Sequence, residues 1–159
     1  DGQVVGSHEG AHAFTVGQRK GLRLGFPAPD GKARYVLEIE PKSNQVVVGP
    51  KAALAVHELS GDEVSFAGAN PIQSGITREI RNPDGITCEP FDCEVQVRAH
   101  SDPVPAVARL DAGRLIVRVI EPLYGIAPGQ SAVIYRGTRV LGQCTISSTL
   151  SDVGEPANV

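Results

Sequence analysis

The chain has 159 residues, of which 41% are hydrophobic and 21% charged, and its formal net charge is -3 at neutral pH. This composition is typical of a globular protein and excludes wholesale disorder, and the lack of an apolar run of about 18 residues excludes a membrane-spanning helix. With 4% aromatic residues and neither Trp nor Met, the core is predicted to be aliphatic. Eighteen Gly and twelve Pro favour β structure, because both residue types interrupt helices.

The first third of the chain contains one clear strand pattern. Residues 2–6 predict a short apolar strand, and residues 7–25, with four Gly and no alternation, predict a loop with one helical turn after Thr15. Residues 34–40 and 45–49 are alternating or apolar runs separated by four turn-type residues. This arrangement predicts a β-hairpin.

The rest of the chain is predicted to be a succession of short strands. Residues 50–60 predict a connector, residues 62–66 a strand, and the Gly- and Pro-containing residues 67–90 a long loop or insertion. Further strand patterns cover residues 93–100, 104–110, 114–120, 131–135 and 139–147. Strands at this spacing, separated by turn signals, favour a small antiparallel barrel.

The predicted fold is therefore mainly β, with little helix. We expect a small central β domain over residues 1–55, an antiparallel β-barrel over residues 56–150 and a tail over residues 151–159. The chain begins with Asp rather than Met and reads as a piece of a longer protein.

One basic segment stands out in this mildly acidic chain. No acid occurs between Glu9 and Asp30, whereas Arg19, Lys20 and Arg23 all lie there. A local positive potential can attract phosphate even when the net charge is negative, although solvated charge runs are common. The segment lacks the G-x4-G-K-[ST] pattern of a nucleotide phosphate loop, so two interpretations stay open: a solvated loop or a contact to an RNA backbone.

Two groups of residues resemble metal-binding motifs, but neither has the spacing or local structure that a metal site requires. Cys88 and Cys93 have four residues between them and Cys144 is distant, which is unlike the tight spacing of zinc sites. His8, Glu9 and His12 match H-E-x-x-H, but the Gly-flanked stretch is too short for the helix that the motif requires. We therefore predict no metal site, and the odd cysteine count favours a reducing compartment.

The motif F-T-V-G-Q-R-K-G-L over residues 14–22, preceded by H-E-G over residues 8–10, resembles the bacterial tRNA-specific 2-thiouridylase family. The motif P-G-Q-S-A-V over residues 128–133 strengthens the resemblance, which covers nearly the whole chain except residues 67–90 and the tail. The resemblance implies the C-terminal half of a cytoplasmic enzyme that thiolates the wobble uridine of tRNA at C2. It also implies ATP, Mg²⁺ and a persulfide sulfur donor for the full-length enzyme.

The resemblance further implies that this chain is inactive alone. The family's ATP pyrophosphatase domain carries an S-G-G-x-D-S loop, which is absent here, and its two catalytic cysteines correspond to none of the three in this chain. No catalytic residue or cofactor is therefore expected in this chain. The expected partners are tRNA, the N-terminal catalytic domain and, through the full-length enzyme, a sulfur-donor protein.

The family's tRNA contacts in the barrel align with four positions. Arg98 and Gln130 match the family residues, whereas Ala99 replaces an aromatic residue and His100 replaces an Arg. Alternation along residues 93–100 predicts that Arg98 and His100 share a polar strand face. Together with Arg19, Lys20 and Arg23, these four residues form the predicted RNA-binding set.

Two other classes of function compete with RNA binding. The net acidic barrel half could be a protein-interaction module without RNA binding, and an independent enzyme could use the H-E-x-x-H motif or the cysteines. RNA binding that weakens steeply with salt would distinguish a tRNA-binding chain from a protein-interaction module. Stoichiometric zinc would favour the independent enzyme.

Overall fold

A computed structural model describes residues 3–26 and 28–151 of the chain. In this part of the chain the structure consists of ten strands and two short 3-10 turns, with no α-helix. Among the same residues no helix is long and apolar enough to cross a membrane. The prediction of a mainly β fold with little helix is confirmed.

The predicted hairpin is present. Strands β1 (Tyr35–Glu40) and β2 (Gln45–Gly49) pair antiparallel as a separate two-stranded sheet. The turn includes Asn44 at φ 52°, a left-handed conformation that Asn tolerates better than most residues. Its side-chain Oδ1 accepts a hydrogen bond of 2.8 Å from the backbone N–H of Ala11, which ties the N-terminal segment to the hairpin.

Two predictions for the N-terminal segment are wrong. Residues 3–6, the described part of the predicted strand 2–6, are not in a strand because no neighbouring strand pairs with them. The helical turn is a 3-10 turn at Ala11–Ala13, not a turn after Thr15. Thr15 cannot start a helix because Gly17 adopts φ 87°, which breaks a right-handed helical path two residues later.

The remaining strands build the larger part of the molecule. In chain order they are β3 (Ala55–Phe66), β4 (Glu79–Ile80), β5 (Thr87–Cys88), β6 (Phe91–Gln96), β7 (Val104–Asp111), β8 (Arg114–Tyr124), β9 (Ser131–Arg136) and β10 (Arg139–Leu150). Six of them close a barrel in the order β10-β3-β8-β7-β6-β9, with every neighbouring pair antiparallel. The predicted antiparallel barrel is confirmed.

The barrel interior is filled almost entirely by small and medium aliphatic side chains, as the composition predicts. Strands β6, β7 and β9 alternate buried positions with more exposed ones, so one face of each contributes to the core. Residues with an exposed fraction of 1% or less include Leu59, Val95, Ala108, Leu110, Leu115, Val117, Ala132, Ile134 and Ile146. Burial of a Val, Leu or Ile side chain contributes about 1.5–3 kcal/mol to folding, so this interior dominates the stability of the chain.

The predicted connector over residues 50–60 is wrong. It contains the second 3-10 turn, Lys51–Leu54, and then the first half of the twelve-residue strand β3. The sequence concealed this long strand because Ser60 and Gly61 look like turn residues. A Cβ at Gly61 would overlap Cys144 Sγ, so the close approach of β3 and β10 requires glycine there.

The segment over residues 67–90 connects β3 to β6 and contains the short pair β4–β5. Pro71 and Cys88 are buried, and Cys88 Sγ accepts a hydrogen bond of 3.2 Å from the backbone N–H of Leu110. Ile72 and Ile76 pack against the barrel core. The segment is thus attached to the barrel through its own apolar side chains.

Candidate nucleic-acid interface

The basic loop, residues 17–23, is shaped by two glycines and one glutamine. Gly17 and Gly21 adopt φ 87° and 79°, which only glycine reaches without strain. Between the two glycines, the Gln18 side chain accepts a hydrogen bond of 3.0 Å from the backbone N–H of Thr15 and donates one of 3.0 Å to the Lys20 carbonyl. The Gln18 amide therefore fixes the loop from within.

The same loop is attached to the hairpin by main-chain hydrogen bonds. The Gly17 N–H donates to the Val36 carbonyl at 2.8 Å, and the Val36 N–H donates to the Gln18 carbonyl at 2.9 Å. Val36 lies in β1 and is fully buried. The loop therefore has a defined path along the first strand.

The three cations of the basic loop face solvent. Arg19, Lys20 and Arg23 are exposed, and none of them forms an ion pair with a carboxylate in residues 3–26 or 28–151. Unpaired guanidinium and ammonium groups of one sign create a local positive potential. This is the electrostatic arrangement that phosphate recognition needs.

Arg98 lies in a turn and not, as the alternation predicted, on the polar face of a strand. Strand β6 ends at Gln96, and the Ser101 N–H and hydroxyl both donate to the Arg98 carbonyl, at 3.1 and 3.0 Å. Ala99 and His100 are exposed in the same turn. The prediction that Arg98 and His100 share a strand face is wrong, because the turn ends the alternation.

The Arg98 guanidinium reaches across to the end of β8. Its Nη2 donates to the Tyr124 carbonyl at 3.2 Å and to the Gly125 carbonyl at 2.9 Å. Guanidinium has five N–H donors, and in the described part of the chain the Nε and Nη1 groups have no partner. Arg98 is therefore held in a fixed orientation, and its Nε and Nη1 groups remain able to donate hydrogen bonds.

The basic loop and Arg98 meet at one place. A Cβ at Gly17 would lie 3.4 Å from Gly125 Cα, and a Cβ at Gly125 would lie 2.7 Å from Arg98 Nη2. We name the meeting point of Gly17, Arg98, Tyr124 and Gly125 the Gly125 corner. The first residue of the basic loop, Gly17, and Arg98 are 81 positions apart in the sequence, yet both approach Gly125.

Gln130 occupies the far end of the loop that begins at Gly125. Its backbone carbonyl accepts from the Ile146 N–H at 2.8 Å, which fixes the main chain at the start of β9. Its side-chain Oε1 is buried and has no hydrogen-bond partner among the described residues. No hydrogen bond joins Gln130 to Arg98 in the described part of the chain. The two residues are related by the loop over residues 125–130, because Arg98 contacts its first residue and Gln130 is its last.

Comparisons with known proteins match nearly the whole chain. One family model, described as a tRNA methyl transferase PRC-barrel domain, matches residues 1–50, and another, an aminomethyltransferase beta-barrel domain, matches residues 59–146. The tRNA-specific 2-thiouridylase MnmA of Leifsonia xyli is 56% identical over 152 residues, and that of Clavibacter sepedonicus is 52% identical over 159. These alignments cover 96% and 98% of this chain.

The chain belongs to the tRNA-specific 2-thiouridylase family. The sequence resemblance is confirmed. The chain spans 38% of the length of the Leifsonia relative and 37% of the Clavibacter relative, and it matches their C-terminal part.

The three cysteines of this 2-thiouridylase portion are buried and free. Burial raises the pKa of Cys93 to about 12 and that of Cys144 to about 11. Burial also raises the pKa of Cys88, opposed by the hydrogen bond from the Leu110 N–H. Because the thiolate is the nucleophilic form, these three thiols are poorly suited to sulfur chemistry at neutral pH.

The H-E-x-x-H sequence does not adopt the geometry of a zinc helix. The 3-10 turn covers Ala11–Ala13, so His8 lies outside it, and the His8 ring packs edge-on against Phe14 with ring centroids 5.0 Å apart. His8 Nδ1 is buried without a partner among the described residues. In residues 3–26 and 28–151 no three His, Cys, Asp or Glu side chains are grouped as metal ligands.

Sequence reasoning missed one contact at the Gly125 corner. Lys51 Nζ lies 4.8 Å from the centroid of the Tyr124 ring, a cation–π geometry. The two residues are 73 positions apart, and neither belongs to a recognisable motif. Only the pairing of β3 with β8, which places Ala55 beside Tyr124, brings them together.

Proposed function

We propose that this chain is the tRNA-binding C-terminal portion of a 2-thiouridylase that acts on the wobble uridine of tRNA in the cytoplasm. The observation that carries the proposal is the convergence of the basic loop and Arg98 at the Gly125 corner. Charge-assisted contacts from a pre-oriented guanidinium and from nearby loop cations are what position an RNA backbone.

In this proposal Arg98 is the best-oriented donor. Its Nη2 is bound to the Tyr124 and Gly125 carbonyls, so the side chain loses little further conformational entropy when it binds a phosphate. The unpartnered Nε and Nη1 groups then donate to phosphate oxygens. Arg19, Lys20 and Arg23 add electrostatic attraction along the adjacent loop.

Gln130 has a different role. Its main chain is fixed at the start of β9, and its buried Oε1 is an acceptor without a partner among the described residues. Because this oxygen makes no hydrogen bond to the described residues, the side chain can turn outward to an RNA donor without breaking one, and the turn relieves the cost of a buried unpaired acceptor. We infer that the Gln130 amide contacts a ribose hydroxyl or a base of the tRNA.

The residues of this chain do not fit ATP, Mg²⁺ or a persulfide. They contain no S-G-G-x-D-S loop, the described residues show no cluster of potential metal ligands, and the cysteine pKa values are raised. We propose that the N-terminal catalytic domain holds these groups and receives sulfur from a donor protein. The chain alone is then expected to release no pyrophosphate from ATP and to thiolate no tRNA.

The experiment compares Arg98→Ala and Gln130→Ala with Arg118→Ala, an exposed arginine on the outer barrel wall that pairs with Glu58 at 3.5 Å. Binding of unmodified tRNA to the chain is measured first, and thiolation by the full-length enzyme second. Hydrogen bonds to charged groups contribute about 1.5–3 kcal/mol, so Arg98→Ala is expected to weaken tRNA binding at least tenfold. Gln130→Ala is expected to weaken it several-fold.

The cysteines provide the contrasting result. Changing Cys88, Cys93 and Cys144 together to Ser is expected to leave thiolation by the full-length enzyme intact, apart from any loss of stability caused by burying hydroxyl groups. The proposal fails if the triple cysteine variant folds but cannot thiolate while Arg98→Ala and Gln130→Ala both work normally.

One observation favours a second candidate function, a protein-interaction module. Ile120 is 71% exposed and Val107 36% exposed on the outer wall formed by β7 and β8, where Val107 pairs with Arg118. Exposed apolar side chains that lie together often contact another polypeptide. If the chain binds the N-terminal catalytic domain and Ile120→Asp abolishes that binding, while no tRNA binding is detected, this second function replaces the first.

A further inference from the structure

A groove lies where the start of the hairpin meets the second 3-10 turn. It has a volume of about 340 Å³ and is lined by Lys32, Ala33, Tyr35, Pro50, Lys51 and Ala52. The lining combines two lysines with an otherwise apolar surface and includes no acid. No sequence motif pointed to this place.

The groove adjoins the Gly125 corner. Lys51 lines the groove, and its ammonium also lies 4.8 Å from the centroid of the Tyr124 ring. Tyr124 is 40% exposed, and its backbone carbonyl accepts a hydrogen bond from Arg98. Tyr124 therefore links the groove, through Lys51, to Arg98.

The charges around the groove favour an anion. Asp30 accepts a hydrogen bond from the Lys32 N–H at 3.0 Å, but its carboxylate forms an ion pair with Arg34 at 3.0 Å. The ammonium groups of Lys32 and Lys51 have no carboxylate partner in the described part of the chain. Two unpaired lysines in one groove attract a phosphate.

We propose that this groove and the neighbouring Tyr124 together bind one unpaired nucleotide of the tRNA, with its phosphate in the groove between Lys32 and Lys51 and its base stacked on Tyr124 beside the groove. The inference rests on the proposed function, because it extends the RNA-binding surface beyond the Gly125 corner.

The chemistry of Tyr124 supports a base as the occupant. Aromatic side chains stack on any base, which contributes about 1–3 kcal/mol per base. The turn that holds Arg98 has Ala99 and no aromatic residue, so Tyr124 is the exposed ring at this corner. The Lys51 ammonium covers one face of the Tyr124 ring, so in this proposal the base stacks on the opposite face while Lys51 contacts the phosphate.

The test measures binding of an unmodified tRNA transcript to the chain carrying Lys32→Ala with Lys51→Ala, Tyr124→Leu or Tyr124→Phe. The matched control is Lys42→Ala, an exposed lysine in the hairpin turn at the other end of the hairpin. Because the chain has three Tyr and no Trp, quenching of tyrosine emission by a stacked base is directly observable.

The double lysine variant is expected to make the slope of log K against log salt less steep by about 0.7–0.9, since the two lysines share one phosphate contact. Tyr124→Leu is expected to weaken binding about 5- to 100-fold and to remove the emission quenching, and Tyr124→Phe to restore most of the affinity. Lys42→Ala is expected to change neither quantity.

The proposal is overturned if the double lysine and Tyr124→Leu variants bind tRNA like Lys42→Ala. If Arg98→Ala still weakens tRNA binding in that case, the proposed function stands and the groove does not bind RNA. If the unaltered chain binds no tRNA, the proposed function and the groove site are both overturned.

Discussion

The barrel and the N-terminal segment over residues 3–34 are held together by different interactions. In the barrel, six strands form a closed ladder around an aliphatic interior, so each strand is supported on both edges. In the described residues of this segment, 3–26 and 28–34, one buried alanine, a few main-chain hydrogen bonds and the side-chain amides of Gln18 and Asn44 maintain the path of the chain. The barrel supplies stability, and the loop supplies unpaired positive charge.

This difference shows how a mildly acidic protein can present a basic surface. Charges on the barrel wall are often paired, as Arg114 is with Asp62 at 2.8 Å, whereas those of the basic loop are not. A loop fixed by backbone contacts to a rigid scaffold can keep unpaired cations at a defined place. The hydrogen bonds to Val36 fix the loop to the hairpin, and the Gly125 corner is where the loop approaches the barrel.

Truncation of the barrel interior gives the largest expected effect on stability. Leu115 is fully buried, and Leu115→Ala is expected to lower the free energy of unfolding by about 2–5 kcal/mol, because it removes buried surface and leaves a cavity. Ile120→Ala on the same strand, where the side chain is 71% exposed, is expected to change it by no more than about 0.5 kcal/mol. Urea denaturation measures both, and equal losses would contradict the assigned barrel interior.

Alkaline pH is expected to destabilise the barrel through its buried thiols. The folded pKa values of Cys93 and Cys144, about 12 and about 11, exceed the ordinary value of 9.0, so the neutral thiols stabilise the fold fully below pH 9. This stabilisation is lost as pH rises from about 9 through the folded values, by about 1.4 kcal/mol per thiol at pH 10. Chemical denaturation at pH 8 and 10 measures it, and a Cys93→Ala, Cys144→Ala variant with an undiminished alkaline loss would contradict the cause.

Substitution of Gly125 is expected to have a smaller effect on stability. Comparison with Gly137 distinguishes the effect of backbone strain from the effect of displacing Arg98. Gly125→Ala places a methyl group 2.7 Å from Arg98 Nη2 at φ 67°, whereas Gly137→Ala places one in open space at φ 60°. Both are expected to cost about 1–2 kcal/mol of stability, because both force alanine into a left-handed conformation. Only Gly125→Ala is expected to weaken tRNA binding, and equal binding by the two variants would show that Arg98 does not need this orientation.

Local signals were enough to predict the architecture. The hairpin followed from four turn residues between two strand patterns, and the barrel from repeated short strands with turn signals. These features are encoded within about ten residues, so no tertiary information was needed. The aliphatic interior followed from composition in the same way.

The details of the site depend on contacts that a single segment does not reveal. Strand β6 ends at Gln96, whose side-chain amide donates a hydrogen bond to the Ser101 carbonyl at 2.6 Å and accepts one from the Tyr135 hydroxyl at 2.8 Å, so it holds the turn that follows. Alternation therefore could not predict the turn that redirects Arg98. The proximity of Gly17 to Gly125, and of Lys51 to Tyr124, likewise requires the closed barrel.

The most direct test of the central claim is the salt dependence of tRNA binding by the chain with Arg19, Lys20 and Arg23 all changed to Ala. The unaltered chain is expected to bind tRNA with a Kd of about 10⁻⁴ to 10⁻⁶ M at physiological salt. The triple variant is expected to have a slope of log K against log salt less steep by about 2–3. A control with Lys42, Arg118 and Arg139 changed to Ala is expected to keep the original slope. An unchanged slope in the triple variant, with the same slope in the control, would contradict the assignment of the basic loop as the RNA contact.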